Sequence, residues 1–80
     1  MNLEIITPDK KVFAGEANAV TLPGSEGQFQ VLNNHAALVS ALDRGNVVID
    51  VNGVKQTLVI DGGVVEVLNN KVLVLAEAVL

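Results

Sequence analysis

The residues that could do chemistry are few, and they lie mainly in the range Thr21–Leu42. His35 is the single histidine among 80 residues, and there is no cysteine. One imidazole cannot complete a histidine-based metal cage. A Ser-His-Asp relay built on it would leave no second histidine as a ligand. A histidine beside Asn33, Asn34 and Ala36 is more typical of a hydrogen-bond partner that fixes a loop. A small hydrolase that uses His35 remains an alternative, and a carboxylate placed against the imidazole would favour it.

The loop Gly24-Ser25-Glu26-Gly27 combines a hydroxyl with a carboxylate. It does not fit the Gly-x-Ser-x-Gly nucleophile elbow, and it follows a predicted strand without opening a helix. Turn formation is therefore the role expected for Ser25 and Glu26. There is no Gly-x-x-x-x-Gly-Lys-Ser/Thr phosphate loop, and Asp61-Gly62-Gly63 lacks the further spaced carboxylates of a calcium loop. The sequence thus predicts a non-catalytic chain with no cofactor and no metal.

Composition narrows the class of protein. Half of the residues are hydrophobic and only two are aromatic, Phe13 and Phe29, so the core must consist of Val, Leu, Ile and Ala. The net charge of −4 argues against a nucleic-acid partner, because a phosphate backbone requires a basic surface. The sequence has no apolar run of about 18 residues, and its first residues lack the hydrophobic centre of a signal peptide. We therefore expect a cytosolic protein with no direct membrane insertion.

The sequence pattern predicts that short strands separated by turns position these residues. Turn signals recur roughly every 8 to 12 residues, the interval typical of a sandwich or barrel. Asn52-Gly53 is the strongest hairpin signal, because both residues tolerate the positive φ of a type I′ turn, and Asn69-Asn70 is a weaker one. The predicted strands are Leu3–Thr7, Lys11–Gly15, Ala17–Leu22, Gly27–Val31, Val39–Leu42, Asn46–Val51, Val54–Ile60, Gly63–Leu68 and Lys71–Ala76. The pattern predicts one all-β domain over residues 1–80, without a helix longer than two or three turns.

Several of these strands are apolar on both faces, notably Val47–Ile49, Val64-Val65 and Val72–Leu75. A sheet with one solvated face alternates apolar and polar residues instead. Two interpretations fit: these strands are covered on both sides or carry scattered surface valines, or their outer surface awaits a partner.

The motifs occur in an order that resembles a known family. The sequence from Leu3 to Glu77 is similar to the N-terminal β-sandwich domain of the epsilon subunit of F-type ATP synthases, called delta in mitochondria. The matching segments are Leu3–Ala17, Leu22–Gly27 with the family's Gly-Ser-Glu-Gly loop, Asn34–Leu38 with its His-Ala-Pro-Leu motif, Asp61–Val67 with its Gly-Gly-x-x-Glu-Val strand, and Val72–Glu77.

The resemblance implies a flattened two-layer antiparallel β-sandwich of about ten short strands. The spacing of the turn signals also favours a sandwich of many short strands. It implies a non-catalytic central-stalk (rotor) subunit that couples the gamma subunit to the c ring for ion-gradient-driven ATP synthesis. The alpha and beta subunits would belong to the same complex, which would hold the chain peripherally at the cytoplasmic face of the plasma membrane. A generic β-sandwich ligand-binding module is the alternative, and a concave pocket with converging polar groups would favour it.

The resemblance also implies two contact surfaces. The residues expected to contact the c ring are Gly24, Ser25, Glu26, Gly27, Gln28, Phe29 and His35. The residues expected to contact gamma are Thr7, Ser40, Asp61, Gly62 and Gly63.

The sequence departs from the family pattern at two places. Ala37 stands where the family usually has proline, so this loop lacks a fixed φ angle. The sequence stops at Leu80, and the two-helix hairpin with which the family commonly continues is therefore expected to be absent. The inhibitory movement and the ATP site of that hairpin are not carried over to this chain.

Overall fold

The apolar pattern forms seven strands in the computed structural model, which describes residues 1–80. They are β1 (Asn2–Ile6), β2 (Lys11–Glu16), β3 (Ala19–Gly24), β4 (Gly27–Leu32), β5 (Leu38–Val51), β6 (Val54–Leu68) and β7 (Lys71–Ala76). The all-β prediction is confirmed, since no element is a helix. Accordingly, the chain offers no helix with the length and apolar character needed to span a bilayer.

Two long strands explain why there are seven strands rather than the nine that the sequence predicts. β5 contains both predicted strands Val39–Leu42 and Asn46–Val51, and β6 contains both Val54–Ile60 and Gly63–Leu68. The residues predicted as turns between them lie inside the paired strands. The ladder continues through this point because the residues on either side of it stay opposite each other across β5 and β6.

The turn signals inside β5 and β6 mark a bend. Leu42 pairs with Gly63, and two residues further along Arg44 pairs with Asp61. Gly62 and Gly63 have φ values of 93° and 154°, a region that favours glycine. The glycines therefore serve the local geometry, as the sequence indicates, but in a bent and continuous strand.

The seven strands form one sheet in the order β2-β1-β7-β6-β5-β3-β4. Every neighbouring pair is antiparallel except β1 and β7, which are parallel. The parallel pair is a difference from the fully antiparallel expectation. Parallel neighbours need a long connection, and here strands β2 to β6 together provide it.

One core joins strands that are far apart in this order. Leu3 and Ile5 of β1, Val31 of β4 and Ile49 of β5 belong to the same cluster of 16 buried residues. β1 and β4 could not share a core in a flat sheet, so the sheet bends over itself into two layers. The core is aliphatic, as composition predicts, and both phenylalanines lie at its margin.

The outer face of the layer formed by β1, β7, the second half of β6 and the first half of β5 is only partly covered. Val64 and Leu73 are half-buried, and Leu75 and Val39 are 46% and 72% exposed. The apolar residues on both faces of these strands are thus not explained by a further layer of this chain.

Both predicted hairpin turns are confirmed by their backbone angles. Asn52 and Gly53 have φ of 53° and 85°, and Asn69 and Asn70 have φ of 52° and 59°. Positive φ at both central residues is what a type I′ turn requires.

Candidate functional site

The β3–β4 hairpin presents the Gly-Ser-Glu-Gly loop as a turn with Ser25 and Glu26 at its tip. Gly24 ends β3 and pairs with Gly27, the first residue of β4. A Cβ on Gly24 would lie 2.6 Å from the carbonyl oxygen of Gly27 and 2.8 Å from the ring of Phe29. The chain can thus close tightly here, and Ser25 through Gln28 remain exposed.

Two hydrogen bonds hold this turn against the bend of β5. The Ser25 backbone N–H donates to the carbonyl oxygen of Ala41 at 3.0 Å, and the Ser25 hydroxyl donates to Asp43 Oδ1 at 3.1 Å. The expectation that Ser25 has a turn role fits these contacts. Its partner is Asp43, which lies in β5 between the two predicted strands Val39–Leu42 and Asn46–Val51.

A shallow cleft lies between this turn and the start of β5. Its lining residues are Gly24, Glu26, Gly27, Gln28, Phe29, Leu38 and Ser40. Most residues expected at the c ring therefore share one surface. Ser40, expected at gamma, also lies on this cleft, and it pairs with Val65, two residues from Gly63.

His35 is not brought to the same place. The Ser25-Glu26 turn precedes β4 and His35 follows it, so the six residues of Gly27–Leu32 separate the two, a length of about 20 Å at roughly 3.3 Å per residue. The His35 ring hydrogen-bonds through Nδ1 to the carbonyl oxygen of Ala36 at 2.7 Å, and its backbone N–H donates to Leu32.

Asparagines, more than His35, connect the loop after β4 to the rest of the molecule. Asn34 has a φ of 61°, and its N–H donates to Asn70 Oδ1 at 2.8 Å. The Met1 amino group donates to Asn33 Oδ1. The ring of His35 thus makes a local contact within the loop, and neighbouring strands hold the loop through amide side chains.

Thr7 and the Asp61–Gly63 bend lie on either side of Glu77. Thr7 and Glu77 line a common cleft next to Leu75, and the Glu77 N–H donates to the carbonyl oxygen of Gly62 at 3.0 Å. Four of the five residues expected at gamma therefore share one region, and Ser40 lies two residues along β5 from Leu42, the partner of Gly63.

An apolar row crosses four strands beside this region. Ala41 pairs with Val64, Val64 with Leu75, and Leu75 with Ile6. Along the chain, Ile6 directly precedes Thr7 and Val64 directly follows Gly63. Sequence reasoning did not assign these four residues to a site, although the strands that are apolar on both faces were the signal that could have found them.

The charged residues around the two bends are exposed. Arg44 Nε lies 3.8 Å from Asp61 Oδ1, with side chains 71% and 51% exposed. A pair this exposed contributes little to stability, so its charges are available to a partner. Asp43 adds a negative charge next to Arg44 in the chain, and Glu77 adds another beside Gly62.

These features define an all-β sandwich that presents a polar turn at one corner and an apolar row on one outer face. A family model described as the ATP synthase, Delta/Epsilon chain, beta-sandwich domain matches residues 1–80. The chain therefore belongs to this family.

Relatives and solved structures agree with the assignment. The chain is 47% identical over 78 residues to the ATP synthase epsilon chain of Campylobacter fetus subsp. fetus, covering 96% of this chain and 60% of that protein. It is 45% identical over 76 residues to the epsilon chain of Pelotomaculum thermopropionicum, covering 95% of this chain and 57% of that protein. The chain thus spans somewhat more than half the length of these relatives.

The fold recurs in a cryo-EM structure of the Euglena gracilis mitochondrial ATP synthase, described as OSCP/F1/c-ring, with a TM-score of 0.91 and 26% identity. The match covers 98% of this chain and 51% of that one. A chain in the central stalk/c-ring structure of the Tetrahymena thermophila mitochondrial ATP synthase has the same fold, with a TM-score of 0.86 and 20% identity, covering 99% and 64%.

Proposed function

We propose that this chain acts as a non-catalytic rotor subunit of an F-type ATP synthase, which couples gamma to the c ring. The family match over residues 1–80 carries this proposal. The fold shared with a chain of the Euglena ATP synthase structure supports it. In this role the chain is a peripheral component of the complex at the cytoplasmic face of the plasma membrane, with alpha and beta in the same assembly.

The mechanism is mechanical. A rotor component must pass torque between two partners without yielding, and close-packed interiors resist compression and transmit strain. The continuous β5 and β6 strands suit this role because each runs through both layers and contributes to the single core. Deformation of the sandwich under torque would require breaking a ladder that is continuous along β5 and β6.

The ring-facing surface is the turn and cleft of Gly24–Phe29. The hydrogen bonds of Ser25 to Ala41 and Asp43 hold this turn in place before any partner arrives. Such preorganisation lowers the ordering cost of binding. His35 lies beyond the other end of β4, so a ring contact by His35 would have to be a second, separate point of contact.

The gamma-facing surface combines Thr7 and the Asp61–Gly63 bend with the apolar row beside them. Exposed apolar side chains in a contiguous patch are typical of protein contact sites. Leu75 at 46% exposure is the largest side chain of that row left to solvent. Ser40 is assigned to the ring side of the sandwich instead, because it lies on the cleft with Gln28.

Co-purification from cells tests the proposed role. A tagged chain expressed in its own cells should recover gamma, c, alpha and beta subunits, identified by mass spectrometry. Recovery of none of these subunits from a soluble, folded chain would contradict the proposal.

A pair of matched substitutions tests the gamma surface. Leu75→Glu places a charge in the apolar row, while Val54→Glu places the same charge at a side chain that is 73% exposed at the far tip of the β5–β6 hairpin. We expect Leu75→Glu to lose gamma and Val54→Glu to keep it, because burying an unpaired charge weakens an interface. Equal gamma recovery by both variants, with both folded, would remove gamma from this face.

A further inference from the structure

The tip of the β5–β6 hairpin combines an asparagine and a glycine in a reactive order. Asn52 and Gly53 are both exposed, and both have positive φ. A Cβ on Gly53 would meet nothing within 4 Å. No side chain therefore hinders the Asn52 side-chain amide from approaching the backbone nitrogen of Gly53.

We propose that Asn52 is a site of spontaneous covalent modification and that Asp50 restrains the reaction. The backbone nitrogen of Gly53 attacks the side-chain amide carbon Cγ of Asn52 and forms the new C–N bond of a five-membered succinimide. The Gly53 N–H proton passes to solvent, the Cγ–Nδ2 bond breaks, and ammonia leaves with a proton from solvent. One water then opens the ring, at either carbonyl, to give aspartate or isoaspartate.

The folded turn opposes this ring closure. The Gly53 N–H donates to Asp50 Oδ1 at 2.8 Å, and the Asn52 N–H donates to Asn18 Oδ1 at 2.5 Å. Pairing of Val51 with Val54 closes the turn from below. For the Gly53 nitrogen to reach Cγ, the peptide plane between Asn52 and Gly53 must rotate away from Asp50. The reaction therefore proceeds from a locally opened turn, whose population depends on these hydrogen bonds.

The other asparagines are less suited to the reaction. Asn69 shares the turn geometry of Asn52, with a φ of 52°, but the next residue, Asn70, carries a side chain that crowds the attacking nitrogen. Asn33 is likewise followed by Asn34, and Asn46 by the β-branched Val47. At Asn52 the exposed side-chain amide is followed by the backbone nitrogen of Gly53, which no side chain shields.

Modification would alter the hairpin tip in one of two ways. Isoaspartate places an additional backbone atom between residues 52 and 53, which does not fit a two-residue turn. Aspartate adds a carboxylate next to Asp50. Isoaspartate would therefore weaken the tie between this tip and Asn18, at the corner between β2 and β3, whereas aspartate keeps the backbone N–H that makes it.

Peptide mapping of the 80-residue chain tests the proposal. The wild type, Asp50→Ala and Asp50→Asn are incubated near neutral pH and digested with trypsin. Cleavage after Arg44 and Lys55 gives the peptide Gly45–Lys55, which contains Asn52 together with Asn46, and cleavage after Lys55 and Lys71 gives a peptide that contains Asn69 and Asn70 as an internal reference. Fragment-ion spectra assign each change to one asparagine. Mass spectrometry then measures the loss of each amide with time.

We expect Asn52 to be modified faster than Asn69 in the wild type. Asp50→Ala should accelerate Asn52 by about fivefold, the factor that one net hydrogen bond contributes, and leave Asn69 unchanged. Asp50→Asn should stay near the wild-type rate because the amide oxygen can still accept from Gly53. Asn18→Ala provides a second test, since it releases the Asn52 N–H without altering Asp50, and it should also accelerate Asn52.

Three results would overturn the proposal. Equal rates at Asn52 and Asn69 in the wild type would remove the site. Slower reaction in both Asp50 variants would mean that the carboxylate promotes the reaction as a base instead of restraining it. Parallel acceleration of Asn52 and Asn69 in the Asp50 and Asn18 variants alike would report general unfolding and not release of this turn.

Discussion

Gly63 lies so close to Leu75 that a Cβ on Gly63 would be 2.1 Å from the Leu75 carbonyl oxygen. This contact is where β6 bends while remaining paired with β7, since Gly63 itself pairs with Ala76. The bend also faces Leu42 of β5. The absence of a side chain at Gly63 therefore allows β6 to bend together with β5 while it stays paired with the end of β7.

Replacing Gly63 by alanine should destabilise the chain strongly. The φ of 154° is unfavourable for alanine, and the methyl group would overlap the Leu75 backbone, so we expect a loss of at least about 3 kcal/mol in the free energy of unfolding. Urea unfolding followed by circular dichroism measures this loss.

Gly53→Ala is the matched control for this substitution. Gly53 also has a positive φ, 85°, but open space around it. It should lose only about 1–2 kcal/mol, the backbone part of the effect. Equal losses at the two glycines would show that the close approach to Leu75 has no energetic weight.

At this bend the sequence predicts the local backbone geometry but not the continuity of the strand. The predicted break between the strands Val54–Ile60 and Gly63–Leu68 falls at a glycine run, Gly62-Gly63, which has positive φ, and the preference of glycine for such angles is local. Whether such a run reverses the chain or bends a continuous strand depends on its pairing partners, here Leu42 and Arg44. Those partners are set by tertiary structure, so two long strands were predicted as separate short ones.

The Asn69-Asn70 turn gives a prediction opposite to the usual turn rule. Asn-Gly is the preferred type I′ pair, so the sequence alone favours Asn70→Gly as stabilising. However, Asn70 Oδ1 accepts a hydrogen bond from the Asn34 N–H at 2.8 Å. Asn70→Gly should therefore be less stable than Asn69→Gly by about 1 kcal/mol, one net hydrogen bond. Melting curves of the two variants make the comparison, and a more stable Asn70→Gly would contradict the role of this contact.

The surfaces were predicted less completely than the fold. The Ser25-Glu26 turn was found because glycines and small polar residues mark turns directly. The row of Ile6, Leu75 and Val64 was not assigned to a site, since a row across a sheet requires the strand order. That order places the first and last strands side by side, and no local pattern encodes it.

His35→Ala should have a small effect. The ring makes a hydrogen bond to the neighbouring Ala36 carbonyl oxygen, so the loss in unfolding free energy should not exceed about 1 kcal/mol. Neither the wild type nor the variant should hydrolyse ester or phosphate substrates. Hydrolysis by the wild type that the variant loses would support the alternative in which His35 is catalytic.

The proposed ring surface predicts a defect in assembly without a defect in folding. Gln28 is exposed just beyond the turn and pairs with Pro23. Gln28→Lys puts an unmatched charge into a partly desolvated contact, a change expected to weaken binding by a few kcal/mol. The melting temperature should barely change, because an exposed substitution typically shifts stability by only about 0.5 kcal/mol.

Gln56→Lys provides the matched control, since Gln56 is an exposed glutamine on β6, outside both proposed surfaces. Reconstitution with gamma alone and with the complete rotor separates the two contacts. Gln28→Lys should bind gamma normally, yet incorporate poorly into the complete rotor and reduce ion-coupled ATP synthesis, while Gln56→Lys behaves as the wild type in both assays. If Gln28→Lys and Gln56→Lys give the same incorporation and coupling, the turn does not contact the ring. If Gln28→Lys instead loses gamma first, the assignments of the two surfaces are reversed, because the charge would then lie in the gamma contact.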